Sequence, residues 1–288
     1  GMLLWSGNEE STPQAIRTEK ATLQALREKS VPTLQSANLA QQARGLLFPL
    51  FDRKRQRLAL EMFQHAIELE PGIPHGYAGA AQVYATLTML SQDPEQVREY
   101  SNEARRLANQ ALDIDPSSAW GHGALAWTLG TIGEFENAVK HANLAFELAP
   151  QDGHVLDLVG IAAIISNDPQ LAALASAPER ARTGGGRFGA RNIWGASQYM
   201  LGNYPAVIEA FGNAPAEGAP VSPPSLIFLA VANDHLGNTE AAQHLVDELR
   251  STWPNFPTAF LISRMFQAGS VYEQDMLTRL GRYGYATG

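Results

Sequence analysis

Ala111-Leu112-Asp113-Ile114-Asp115-Pro116 and Ala145-Phe146-Glu147-Leu148-Ala149-Pro150 are two versions of one phrase, and their prolines stand 34 residues apart. A third version, Ala66-Ile67-Glu68-Leu69-Glu70-Pro71, lies upstream. A 34-residue self-similarity closed by proline marks a helix–turn–helix solenoid, in which each unit buries its apolar face against its neighbours. Chains of this kind bind other chains more often than they catalyse reactions.

The pattern extends in both directions. Leu58, Ala59, Met62, Phe63, Ala66 and Ile67 follow the i, i+3, i+4, i+7 spacing of a helix over 53–70. Helices are expected over 74–90 and 94–114, where about eleven residues are inserted relative to the period. The unit at 119–150 is the most regular: Ala126, Ala138 and Ala145 let two helices approach closely, and Gly133 serves the tight turn between them. Helices then follow at 153–166 and 169–177, 188–201 and 204–213, 225–236 and 239–252, with the pattern loosening after 168. Residues 257–267 and 272–281 read as a helical end. Before the repeats, residues 1–10 read as disordered, 11–30 as a helix and 35–51 as a second helix with Leu39, Ala43, Leu46 and Leu47 inward. Pro49 ends or kinks that second helix.

The fold expected is therefore all-α, a right-handed α-α superhelix of about five helix pairs with helical caps. Its parts are a start at 1–10, N-terminal cap helices at 11–52, a solenoid at 53–267, and a C-terminal cap and tail at 268–288. The N-terminal helices either hide the apolar end of the first repeat or lie in the groove; capping is the favoured expectation.

Composition narrows the function classes. The 288 residues carry a net charge of −8, and a nucleic-acid footprint needs a basic face, so no nucleic-acid partner is expected. There is no cysteine, which excludes disulfides, thiolate metal sites and thiol catalysis. No apolar run reaches the roughly 18 residues that a membrane helix needs. Leu3-Leu4-Trp5 reads as an ordinary flexible terminus, with the stub of a membrane segment as the alternative.

Catalytic and cofactor motifs are weak. Gly184-Gly185-Gly186-Arg187-Phe188-Gly189 matches G-x-G-x-x-G, but it follows an Ala-rich helical stretch rather than a strand, so a loop between repeats is expected and no cofactor. The seven histidines show no short metal-ligand spacing, so no metal is expected. There is no G-x-S-x-G nucleophile turn.

The phrases resemble the tetratricopeptide repeat family over roughly residues 55–265. More narrowly, Ala59-Leu60-Glu61-Met62-Phe63-Gln64-His65-Ala66-Ile67-Glu68-Leu69-Glu70-Pro71 and Tyr77-Ala78-Gly79-Ala80-Ala81 are similar to repeat segments attached to bacterial class III adenylate cyclases or winged-helix regulators. The resemblance implies first helices lining a concave groove, with His75, Gln82, Trp120, Trp127, His154, Asp157, Asn192, Tyr199, Asp234 and His235 facing into it. It implies a protein or peptide partner, and a regulatory or sensory part of a bacterial signalling protein. The groove positions that bind chaperone carboxylates through basic residues are mostly neutral or acidic here, so a neutral, aromatic or basic peptide fits better. Trp120 and Trp127 lie two turns apart on one face, either as anchors for a ligand or as packing residues. Two other classes stay open: a helical-repeat enzyme acting on a glycan through Asp157, His154 or Asp234, and a homo-oligomeric scaffold.

Overall fold

The computed structural model describes residues 30–184, 187–213, 215–217 and 221–285. The expected start at 1–10, the helix expected at 11–30 (all but its last residue), Gly185, Gly186 and the tail beyond 285 lie outside the described residues. Among the described residues the only β pairing is one isolated bridge, Asp152 to Thr183. No described helix is long and apolar enough to cross a membrane.

Helix α1 runs over 30–44 and is followed, after a non-helical stretch, by α2 (Arg53–Leu69). Five helix pairs come next: α3 (Pro74–Leu90) with α4 (Pro94–Ile114), α5 (Ala119–Thr131) with α6 (Phe135–Leu148), α7 (Gly153–Ile165) with α8 (Pro169–Ser176), α9 (Arg187–Met200) with α10 (Tyr204–Asn213), and α11 (Pro223–His235) with α12 (Thr239–Thr252). The chain ends in α13 (Thr258–Phe266) and α14 (Val271–Arg282). The inserted residues near 91 lengthen α3 and α4 without adding an element.

The first helices α3, α5, α7, α9 and α11 contact one another in order, so they form one continuous wall. They are buried nearly all round, and their partners are apolar on one face only: α5 buries eleven of its thirteen residues, α6 three of fourteen. Alanines make the close approach possible; Ala78, Ala81, Ala124, Ala138, Ala142 and Ala145 are fully inaccessible.

The turn between the helices of a pair repeats in the backbone after the sequence phrase has faded. Gly133, Gly202 and Gly237 take φ of 86°, 76° and 78°. In each case the next amide donates back to the carbonyl five residues earlier: Glu134 to Leu129 at 2.9 Å, Asn203 to Gln198 at 2.8 Å, Asn238 to Asn233 at 2.9 Å. This is the bond that closes a helix over a left-handed residue. Asn167, at φ 62°, does the same in the α7/α8 pair, with Asp168 bonded to Ala163 at 2.8 Å. Asparagine tolerates the left-handed region through its short polar side chain.

The structure differs from the sequence expectation at the N-terminal side. The helix expected over 35–51 is helical only to residue 44, and residues 45–52 form a strap of successive turns and bends. Val31-Pro32-Thr33, between the two helices expected at 11–30 and 35–51, lies within α1, where Pro32 needs no partner for an amide it lacks. The strap is held by side chains that bond its backbone: Gln56 Nε2 to the Leu47 carbonyl at 2.8 Å and Arg55 Nη2 to the Gly45 carbonyl at 2.8 Å.

Candidate concave-face binding site

The strap crosses the wall of first helices from one edge to the other. At its start, Arg44 donates from Nη2 to Asp152 Oδ1 at 2.8 Å, and its guanidinium lies 4.5 Å above the Trp120 ring. Asp152 is the N-cap of α7, accepting from the amides of His154 (2.9 Å) and Val155 (3.2 Å). At the far end, Arg53 donates to the carbonyl of Leu90, the last residue of α3. In between, Phe48 lies against α9, where a Cβ on Gly189 would come 3.3 Å from the Phe48 ring.

Helix α13 covers the same face from the C-terminal side. Arg264 Nη2 donates to the Thr88 carbonyl at 2.8 Å, and Gln267 Nε2 to the Ile165 carbonyl at 2.9 Å. Between strap and α13 an apolar cavity of about 210 Å³ remains, lined by Phe48, Phe51, Trp127, Ile161, Ile193, Ala196, Phe228 and Met265 among others. Its polar lining side chains are Asn192, which is exposed, and Ser222, which caps α11.

The ten residues assigned to the groove by resemblance fall into three groups. His75, Gln82, Trp120, His154 and Asp157 gather near Arg44. Trp120 and Trp127 are buried, at 6% and 2% exposure. The reason is in their polar edges: Trp120 Nε1 donates to Gln82 Oε1 at 2.9 Å and Trp127 Nε1 to Thr86 Oγ1 at 3.1 Å, so each indole closes against α3. The surfaces expected to stand open for a ligand are thus taken up by neighbouring helices, with Trp120 also covered by Arg44 and by His75 at 6.0 Å. Asp157 is inaccessible and ion-paired with Arg182. Burial first, then the Arg44 charge, lowers His154 to about 4 and also lowers His75. Burial would raise Asp152, but the Arg44 guanidinium and the α7 amides hold it below the usual carboxylate range.

Trp127 and Asn192 belong to the second group, at the cavity. The third group lies at α14. Tyr199 and His235 both donate to Asp275 Oδ2 at 2.8 Å, and Asp234 accepts from Arg282 at 2.9 Å and from Tyr283. Arg279 binds Asp275 Oδ1 at 2.7 Å and also Asp234. Burial and the Asp275 bond push the Tyr199 hydroxyl far up. These three residues therefore anchor the C-terminal helix, and Tyr199 with Asp275 also lines a surface pocket beside Tyr204 and Tyr272. Asp157, His154 and Asp234 do not share one cleft. Among the described residues no group of three or more acidic or histidine side chains is placed to hold a metal ion.

Arg44, Phe48 and Asp152 were not singled out from sequence. Asp152 carries a legible signal, since it caps α7 as Ser118, 34 residues earlier, caps α5. Arg44 and Phe48 carry none, because they lie outside the repeat.

No family model and no curated protein matches the chain. Solved structures do resemble it. A chain of the Cut9–Hcn1 hetero-tetramer of the APC/C is similar at a TM-score of 0.56 and 16% identity, over 90% of this chain and 48% of that one. PilW, a type IV pilus biogenesis factor, is similar at 0.52 and 16% identity, over 86% of this chain and 98% of that one. A tetratricopeptide repeat protein from Parabacteroides merdae is similar at 0.46 and 17% identity, over 88% and 94%. At such identities the likeness is one of fold: the chain has an all-α helical-repeat superhelix.

Proposed function

We propose that this chain is a non-catalytic protein-interaction module that takes a partner's apolar side chain into the cavity on its concave face. The observation that carries the reading is the cavity itself: about 210 Å³, walled by aliphatic and aromatic groups. Engineered apolar cavities of about 150 Å³ already admit a benzene ring. Anchors of this kind, a large apolar side chain in a desolvated pocket, supply most of the energy in protein interfaces. The glycan-enzyme alternative needs a carboxylate and a histidine in a shared cleft, and the ion pairs of Asp157 and Asp234 do not favour it. In this proposal the resemblance to cyclase-attached repeats makes the module a regulatory part of a bacterial signalling protein.

Panning a randomised peptide library on the full chain tests the reading. Enriched peptides should share a large apolar anchor and lose about tenfold or more in affinity for the Ala196→Phe variant, which fills the cavity. Peptides bound equally by a folded Ala196→Phe protein, or no enrichment at all, would overturn it.

A further inference from the structure

The strap behaves as a ligand of the face it crosses. Arg44 is the only strap-side cation set between an indole face and a carboxylate among the described residues, and both of those groups belong to the wall of first helices. Indole below and carboxylate beside is the chemistry that selects a guanidinium: one partner meets its flat face, the other its donors. Four residues on, Phe48 packs against α9 and, with Pro49, Leu50 and Phe51, forms one wall of the apolar cavity. One peptide pattern, arginine and then an aromatic–proline–apolar run, thus occupies a polar subsite and walls an apolar one in a single pass.

The fit is incomplete at three polar atoms. Arg44 Nε, Gln56 Oε1 and His154 Nδ1 are buried without a hydrogen-bond partner. All three lie at the strap or beside its arginine, and each such atom costs stability that a better-fitting peptide recovers. Phe48, Leu50 and Phe51 are only partly buried, whereas Leu47 between them and Arg44 is covered to 1% exposure and holds the strap to the core. The chain's net charge of −8 adds a general attraction for a basic peptide.

We infer that the concave face recognises a peptide of another protein with the pattern arginine followed four residues later by an aromatic–proline–apolar run, and that residues 44–51 hold this site as an intramolecular stand-in until such a peptide displaces them. The inference rests on the interaction reading above and names the ligand and its competitor. A tethered ligand competes at an effective concentration of about millimolar, so an external peptide sees a site that is vacant only part of the time.

The probe is a labelled peptide with the sequence of residues 44–51, Arg-Gly-Leu-Leu-Phe-Pro-Leu-Phe, titrated by fluorescence anisotropy into the full chain and into the Arg44→Ala/Phe48→Ala variant. The variant should bind at least tenfold more tightly than the unmodified chain. Replacing the peptide's arginine by alanine should remove the gain, as should adding Asp152→Asn, which keeps the α7 cap because asparagine caps as well as aspartate. A folded variant that binds no more tightly, or a gain independent of the arginine, would overturn the inference. A second measurement needs no substitution: excess peptide added to the unmodified chain should speed amide exchange across residues 45–52, and unchanged exchange at saturating peptide would overturn it. A chain that dimerises with concentration but refuses the free peptide assigns the face to strap exchange between copies, and overturns an external partner. Library peptides that bind without disturbing the strap sink this inference and leave the interaction reading standing; no peptide binding to either protein sinks both.

Discussion

His154 shows how one buried residue ties the site to pH. It titrates at about 4 in the folded chain against an ordinary value of 6.5, because burial and then Arg44 disfavour its charged form. Between those values the unfolded chain binds the proton and the folded chain does not. Stability therefore falls as pH drops from about 6.5 toward 4, with a one-proton limit of about 1.4 kcal/mol per pH unit. Asp152 works at lower pH: its folded value is depressed, so its contribution is present above the unfolded value and is lost as pH falls through the folded one. Replacing His154 by glutamine should flatten the dependence of the urea midpoint between pH 6.5 and 4 and leave the loss below pH 4 in place. His75 and His141, also lowered, keep some slope. An unchanged slope in the glutamine variant would remove His154 from this account. Gly79 is a second case at this scale. A Cβ there would sit 2.3 Å from the Phe63 ring, so the glycine lets α3 lie directly on α2. Gly79→Ala should cost about 1–3 kcal/mol by overpacking, read as a lower thermal midpoint, and a neutral result would mean that Phe63 moves aside freely.

At the scale of elements, α3 to α12 were legible from sequence because each repeats a local pattern: an apolar face, small residues at the contacts, and a left-handed residue closing the first helix. The α7/α8 pair faded as a phrase, since Asn167 replaced the expected glycine, but its backbone turn is the same. The strap was not legible. Leu46, Leu47 and Leu50 have helical spacing, and what holds 45–52 out of the helix is a pair of bonds from residues outside it, Gln56 to the Leu47 carbonyl and Arg55 to the Gly45 carbonyl. For the same reason the candidate site was half legible: the wall residues followed from the repeat, and their occupant did not. Helix α13 belongs to this non-local class too. The last turn of α3 carries no basic residue of its own, and its carbonyls at Thr88, Met89 and Leu90 are taken by Arg264 and Arg53. Cations suit a helix C-terminus, and loss of a charged donor strands a carbonyl. Arg264→Met, which keeps the apolar stem, should therefore cost about 1–3 kcal/mol in urea unfolding; a change under about 0.5 kcal/mol would show that water replaces the arginine at no loss.

At the scale of the molecule, a solenoid is nearly one-dimensional: each unit touches its neighbours, and stability is a sum of unit and interface contributions. Such a chain frays from its ends. Here two connections bypass the series. Arg44 bonds the start of α7 across 108 residues of sequence, and Arg264 bonds the end of α3 across 176. Helix α13 also contacts α7 directly, so the C-terminal units are tied to the first half of the superhelix as well as to their own neighbours. Closing such long loops costs entropy once, and that cost rises only slowly with loop length, so the links couple distant units cheaply. The unmodified chain should therefore open cooperatively: amides of α3, α7 and α11 should exchange with one common dependence on urea. The Arg264→Met/Gln267→Ala variant cuts the C-terminal link while leaving the Asp234–Arg279–Asp275 group that joins α14 to α11. In that variant α11 to α14 should exchange at lower urea than α3 to α7, giving two units where there was one. If both proteins show the same single transition, neighbour interfaces alone supply the cooperativity, and the crossing segments serve the concave face and not the stability of the whole.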